Sequence, residues 1–185
     1  MRSGGGKAKG STFEREVCKR LSLWVSSGER EDVFWRSAMS GGRSTVAMKN
    51  RGVLQHAGAG DVSAIAALGE RLLDYAIVEC KAYANLDVLS GILKDTGKLR
   101  KFWEVLLTQA VKYDREPLMI ARQNQFPTFM MMRPPALKAF GLDYGYCVAV
   151  FPRWDCVLIF FDAFLREACV PRARLALVKP GRQKL

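Results

Sequence analysis

Tyr75-Ala76-Ile77-Val78-Glu79-Cys80-Lys81-Ala82 is an apolar run of strand length broken by one acid and one base. Side chains alternate across a strand, so Glu79 and Lys81 share a face with Ile77, while Ala76, Val78 and Cys80 take the other. Burying a carboxylate beside an ammonium is costly unless mutual pairing, a metal or a substrate compensates both. A metal-dependent phosphodiesterase needs such a pair: the carboxylate holds Mg²⁺, and the ammonium orients a water or neutralises phosphate charge. A plain edge-strand ion pair uses the same residues. The triplet alone leaves both readings open.

Outward from this run, Leu72 to Ala82 reads as one strand, Gly69-Glu70 as a turn, and Asp61 to Leu68 as the strand before it. Val33-Phe34-Trp35-Arg36 reads as a shorter strand, so the three resemble a meander. Ser11 to about Ser26 is a predicted helix, because Phe13, Val17, Leu21 and Trp24 form one apolar stripe. Ser11 and Glu14 have the spacing of a capping box, and Gly28 stops the helix. Residues 37–60 are polar and aperiodic, as functional or mobile loops are.

Downstream, Leu99 to Arg115 returns to helical spacing. Pro117 to Ala121 and Thr128 to Met132 are of strand length, with Met130-Met131-Met132 read as a core strand. Tyr146 to Phe151 and Cys156 to Phe161 read as a hairpin turned at Pro152-Arg153-Trp154-Asp155, and Asp162 to Ala168 as a last short helix. Helix, three strands, helix, strand is an α/β order with a mixed central sheet.

The chain has 185 residues, 49% hydrophobic and 25% charged, which suits one folded domain with a substantial core. Residues 1–10 read as a flexible basic arm, 11–170 as one domain and 171–185 as a basic tail. Twenty-nine Lys and Arg against 18 Asp and Glu leave a net charge of +11, which points to a polyanionic partner, nucleic acid being the commonest. The five cysteines form no CxxC pair, so neither a disulfide framework nor a zinc site is expected, and a reducing cytoplasm fits. Residues 1–10 have no apolar core, so no secretory leader is expected. No apolar run approaches the ~20 residues of a membrane helix.

Lys9-Gly10-Ser11-Thr12-Phe13-Glu14-Arg15-Glu16 matches K-G-x-x-x-E-R-E, the opening helix of archaeal-type Holliday junction resolvases. Arg36-Ser37-Ala38-Met39-Ser40 looks like their R-S-A-x-S segment, and Gly60-Asp61-Val62 is similar to the aspartate that opens their second strand. Glu79-Cys80-Lys81 matches E-x-K of the PD-(D/E)xK nuclease superfamily to which those enzymes belong. The four motifs occur in the family's order across roughly residues 9 to 122, and together are far more specific than any one of them.

The resemblance implies a restriction-endonuclease-like αβββαβ core with a C-terminal extension. It implies Asp61 and Glu79 as metal ligands, Glu14 as a third from the first helix, and Lys81 completing the catalytic set. It implies Mg²⁺, with Mn²⁺ able to substitute, and a phosphate contact for Arg36. Arg15, Ser37 and Ser40 become candidate DNA contacts. The implied activity is resolution of four-way DNA junctions by in-line attack of a metal-activated water on branched double-stranded DNA. Symmetric cutting of a two-fold junction implies a homodimer, with Val148 to Phe151 and Val157 to Phe161 as candidate interface strands.

Twenty-four residues (37–60) separate Arg36 from Asp61, more than compact members of the family need. Residues 41–59 therefore read as an inserted loop, with Arg43, Lys49 and Arg51 facing DNA or as plain spacer; its His56 needs no role. Asp74 competes with Asp61 for the aspartate position but does not open an apolar strand. Glu16 reads as a solvated helix acid. Gln109 and Tyr113 have the Q-x-x-x-Y spacing of RecB-like nucleases, which makes Gln109 a further candidate DNA contact. The rival readings are a RecB-like or repair nuclease acting on ends or flaps, and a non-catalytic basic DNA-binding protein.

Overall fold

The structure, a computed structural model, describes residues 5–37, 59–88, 94 and 96–171. Helix α1 (Gly5–Val25) buries the expected stripe of Phe13, Val17 and Leu21. It begins ahead of Ser11, because Lys7-Ala8-Lys9 favours helix and nothing stronger than glycine interrupts it. Ser11 is therefore inside the helix, and the expected capping box is not formed.

Strands β1 (Phe34–Arg36) and β2 (Val62–Ala64) pair only with each other, antiparallel, with Trp35 opposite Ser63. The expected meander is not found. Between β2 and the next strand lies helix α2 (Ala67–Tyr75) rather than a turn and a long strand. Gly69, Leu72, Leu73 and Tyr75 are its buried residues, at helical spacing. Gly69 is a point of close approach: a Cβ there would lie 2.7 Å from Phe34 Cε1 and 3.0 Å from Val33 Cγ1.

Strand β3 (Ala76–Tyr83) carries the E-x-K triplet and forms one edge of a five-stranded mixed sheet. Helix α3 (Lys98–Tyr113) crosses from it to β4 (Glu116–Gln123), which pairs parallel with Glu79 opposite Met119. Such a connection is what parallel neighbours require. Strand β5 (Phe129–Met132) follows antiparallel, its methionines fully buried as expected. Helix α4 (Pro134–Ala139) leads to the hairpin of β6 (Cys147–Phe151) and β7 (Cys156–Phe160), and α5 (Phe161–Glu167) ends the fold. The strand order is β3-β4-β5-β7-β6. The C-terminal strands thus complete the sheet instead of extending it. Strand β7 is interior and unavailable as an interface; β6 is the edge and exposes Val148 and Val150.

Alternation along β3 divides two cores as the sequence implies. Val78 and Cys80 pack with α1, α2 and α5, whereas Ile77 packs beneath α3 with Leu99, Trp103 and Leu106. Helix α1 is tied to α5: Trp24 Nε1 donates to Ala168 O at 3.0 Å, Arg20 pairs with Asp162, and Trp24 packs on Phe164 at 5.1 Å between centroids. Phe164 is fully buried and also meets Phe140 edge-on. Phe164→Ala is expected to destabilise the fold by about 3–5 kcal/mol, measured as a lower urea midpoint.

Candidate active site

Asp61 approaches the free edge of β3 as a one-residue extension of the sheet. Its N–H donates to Val78 O at 2.9 Å, and its Oδ2 accepts from Cys80 N, also at 2.9 Å. The carboxylate is thereby fastened to the residue between Glu79 and Lys81. This close approach requires Gly60, whose φ is +78°; a Cβ there would lie 2.5 Å from Val78 O and 2.9 Å from Ile77 Cγ2. Ser37 N donates to Asp61 O at 2.8 Å, bracing it from the end of β1.

Asp61 is only 7% exposed. Burial raises its pKa, while the Cys80 hydrogen bond and the charges of Lys81 and Arg36 pull it down without cancelling the rise. Glu79 is raised by burial and then by the Asp61 charge, against Lys81, which donates a hydrogen bond to Glu79 Oε1. Burial lowers the Lys81 pKa, but Glu79 and Asp61 outweigh it and leave the ammonium raised. It is charged at neutral pH.

Glu14 reaches toward the same group from α1. Its pKa is raised by burial and by Asp61, with Arg36, Lys81 and Arg15 opposing. Arg36 is held by Ser11, whose Oγ accepts from Nη1 at 2.8 Å, and its Nε stands 3.3 Å from Glu14 Oε2. That oxygen is buried and accepts no hydrogen bond. Arg15 lies exposed on α1.

The donor set suits a hard divalent cation. Glu14, Asp61 and Glu79 offer only carboxylate oxygens, the Asp61 charge raises the pKa of both glutamates, and one Glu14 oxygen accepts no hydrogen bond. As placed, no three His, Cys, Asp or Glu side chains among the described residues stand close enough to hold an ion. Lys81 takes up the Glu79 charge instead.

Several expectations are corrected. Ser37 is 3% exposed and shares a hydrogen bond with Ser63 Oγ at 2.7 Å, so it braces Asp61 and does not reach a DNA strand. Gln109 lies half-buried on α3, seven residues beyond Phe102, and Tyr113 closes the same helix. Glu16 is not simply solvated: Arg122 grips both its oxygens, donates to Thr128 Oγ1 at 3.0 Å and lies over the Phe13 ring. Asp74 is exposed on α2, which leaves Asp61 as the aspartate beside Glu79. Ser40, Arg43, Lys49 and Arg51 lie outside the described residues.

A mixed sheet whose edge strand carries E-x-K, with an aspartate fastened alongside and a glutamate from the first helix, defines the PD-(D/E)xK nuclease class. Residues 5–140 match the family described as "Phage putative PDDEXK endonuclease". The chain belongs to that family. No curated protein and no solved structure matches the chain. Nucleases of this superfamily generally use divalent metals. Among the described residues, no helix is long and apolar enough to cross a membrane.

Gly60→Ala is expected to destabilise the fold by more than about 1 kcal/mol and to move Asp61 off β3. Its signature is weakened Mn²⁺ binding by calorimetry in protein that remains folded by circular dichroism. In wild type, Mg²⁺ or Mn²⁺ at 100-fold over its Kd is expected to add about 2.7 kcal/mol of stability. The same ions should leave an Asp61→Asn, Glu79→Gln double variant unmoved in a thermal melt.

Proposed function

We propose that this chain is a Mg²⁺-dependent, structure-specific endodeoxyribonuclease that cuts branched double-stranded DNA of the four-way-junction type as a homodimer. The observation that carries the nuclease chemistry is the Asp61 carboxylate, bonded at 2.9 Å to the backbone between Glu79 and Lys81. Asp61 and Glu79 would hold the cation, with Glu14 completing the oxygen donors. The bound ion supplies Lewis-acid charge for the phosphodiester and lowers the pKa of water. Lys81, kept protonated by its two acidic neighbours, donates to the attacking water or to a phosphate oxygen. Arg36, tethered at Ser11, presents its guanidinium to the phosphate. Arg15, exposed beside Glu14, meets the backbone of the same strand.

The choice of a junction rests on the K-G-x-x-x-E-R-E match, which puts Glu14 and Arg15 on α1, and on the excess of positive charge. The Q-x-x-x-Y spacing of Gln109 and Tyr113 favours the RecB-like rival, and the K-G-x-x-x-E-R-E match outweighs it. The buried Asp61 fastened beside Glu79, with Glu14 near enough to raise the pKa of Glu79, weighs against a protein that only binds DNA.

Purified protein with Mg²⁺ is expected to cut a synthetic four-way junction faster than a flap or a linear duplex, leaving 5′-phosphate and 3′-hydroxyl ends. Asp61→Asn and Glu79→Gln should each lower the rate at least about 100-fold, the scale on which removed catalytic groups act, while a gel shift persists. Normal cutting by both variants defeats the site assignment. Equal rates on all three substrates defeat the junction.

A further inference from the structure

Glu79, Lys81 and Tyr83 are alternate residues of β3 and project from one face. Phe102, near the start of α3, lies over that face. Its ring stacks on Tyr83 with centroids 5.2 Å apart and planes 28° from parallel. Lys81 Nζ stands 5.4 Å from the same ring. The two rings differ in anchorage: Phe102 packs into the core beneath α3, whereas Tyr83, the last residue of β3, is 41% exposed. An aromatic surface fixed from below and open above thus adjoins the one lysine of the site.

We infer that Tyr83, supported by Phe102, is a stacking platform for an unstacked nucleobase next to the phosphate held at Lys81. The inference rests on the nuclease reading of that lysine and adds a substrate requirement to it. Bases within continuous duplex are stacked on both faces and offer none to a protein ring. A base at a branch point, a flap or a single-stranded end has a free face, and stacking on an aromatic side chain is indifferent to which base it is. Tyr83 is then a specificity-determining residue: it selects DNA with an unstacked nucleotide at the cut, without selecting sequence. Position favours this role, since the strand alternation that aims Glu79 and Lys81 also aims Tyr83.

The test combines binding and crosslinking. Anisotropy with a labelled single-stranded oligonucleotide in Ca²⁺ is expected to show about tenfold weaker binding for Tyr83→Leu, and recovery in Tyr83→Phe. Binding to a paired duplex should be unchanged in both. In wild type, 5-iododeoxyuridine at the nucleotide beside the branch of a four-way junction should crosslink to Tyr83 on irradiation. Equal single-strand affinity in wild type and Tyr83→Leu, or a crosslink at another residue, overturns the platform. Glu79→Gln separates the two readings: it should abolish cleavage while keeping oligonucleotide affinity and the crosslink. If Glu79→Gln cuts normally, the assignment of Glu79 to the catalytic site fails on its own terms, and the binding and crosslinking results still decide the role of Tyr83.

Discussion

The site depends on one backbone contact, the docking of Asp61 against the open side of β3. An edge strand presents unpaired N–H and C=O groups. Here Asp61 N satisfies Val78 O, and its side chain satisfies Cys80 N. A single residue covers the edge and carries a carboxylate to the E-x-K triplet. The contact is close enough that residue 60 must lack a Cβ. Strand edge, glycine and aspartate therefore form one unit, and none of the three can change without moving the others.

Gathering acids in this way is electrostatically unfavourable in the absence of a cation. Glu14, Asp61 and Glu79 all hold their protons more tightly than exposed carboxylates do, chiefly through burial and, for the two glutamates, through the Asp61 charge as well. Lys81, paired with Glu79, and Arg36, paired with Glu14, offset part of that cost. The surrounding structure makes the arrangement permanent: the Arg122 grip on Glu16 fastens α1 to β4 two residues from Glu14, and Ser22 Oγ accepts from both Val33 N and Phe34 N to lock β1 onto the same helix. Such fixed convergence of like charge is characteristic of functional sites.

Much of this was legible in the chain. Period-two alternation placed Glu79 and Lys81 on one face and identified the correct core residues on the other. The hairpin of β6 and β7, the helix α3 and the apolar stripe of α1 all followed from spacing. Helix α2 did not, because Leu72, Leu73 and Tyr75 lead into the apolar stretch of β3 with only Asp74 between them and imitate one long strand. Gly69 resembles a turn signal, yet its reason for being glycine is the Phe34 ring. Ser11 has a capping residue's neighbours but serves Arg36. Contacts between distant segments, such as Arg122 with Glu16 or Ser37 with Asp61, leave no local signature. Tyr83 was within reach of the alternation rule, one step past Lys81.

The order of strands in the sheet carries a consequence for the nascent protein. Strand β5 finds its second partner in β7, and α1 leans on α5, whose closing contacts involve Asp162 and Ala168. The acids at positions 14, 61 and 79 are synthesised early, and the helix that carries the first of them packs chiefly on β1 and β3, but its Arg20 and Trp24 contacts wait until residues 162–168 have emerged. Long-range pairing of this kind is slow relative to local helix formation. A ribosome stalled before the final hairpin therefore holds a chain in which β5 lacks its second neighbour and α1 its brace on α5.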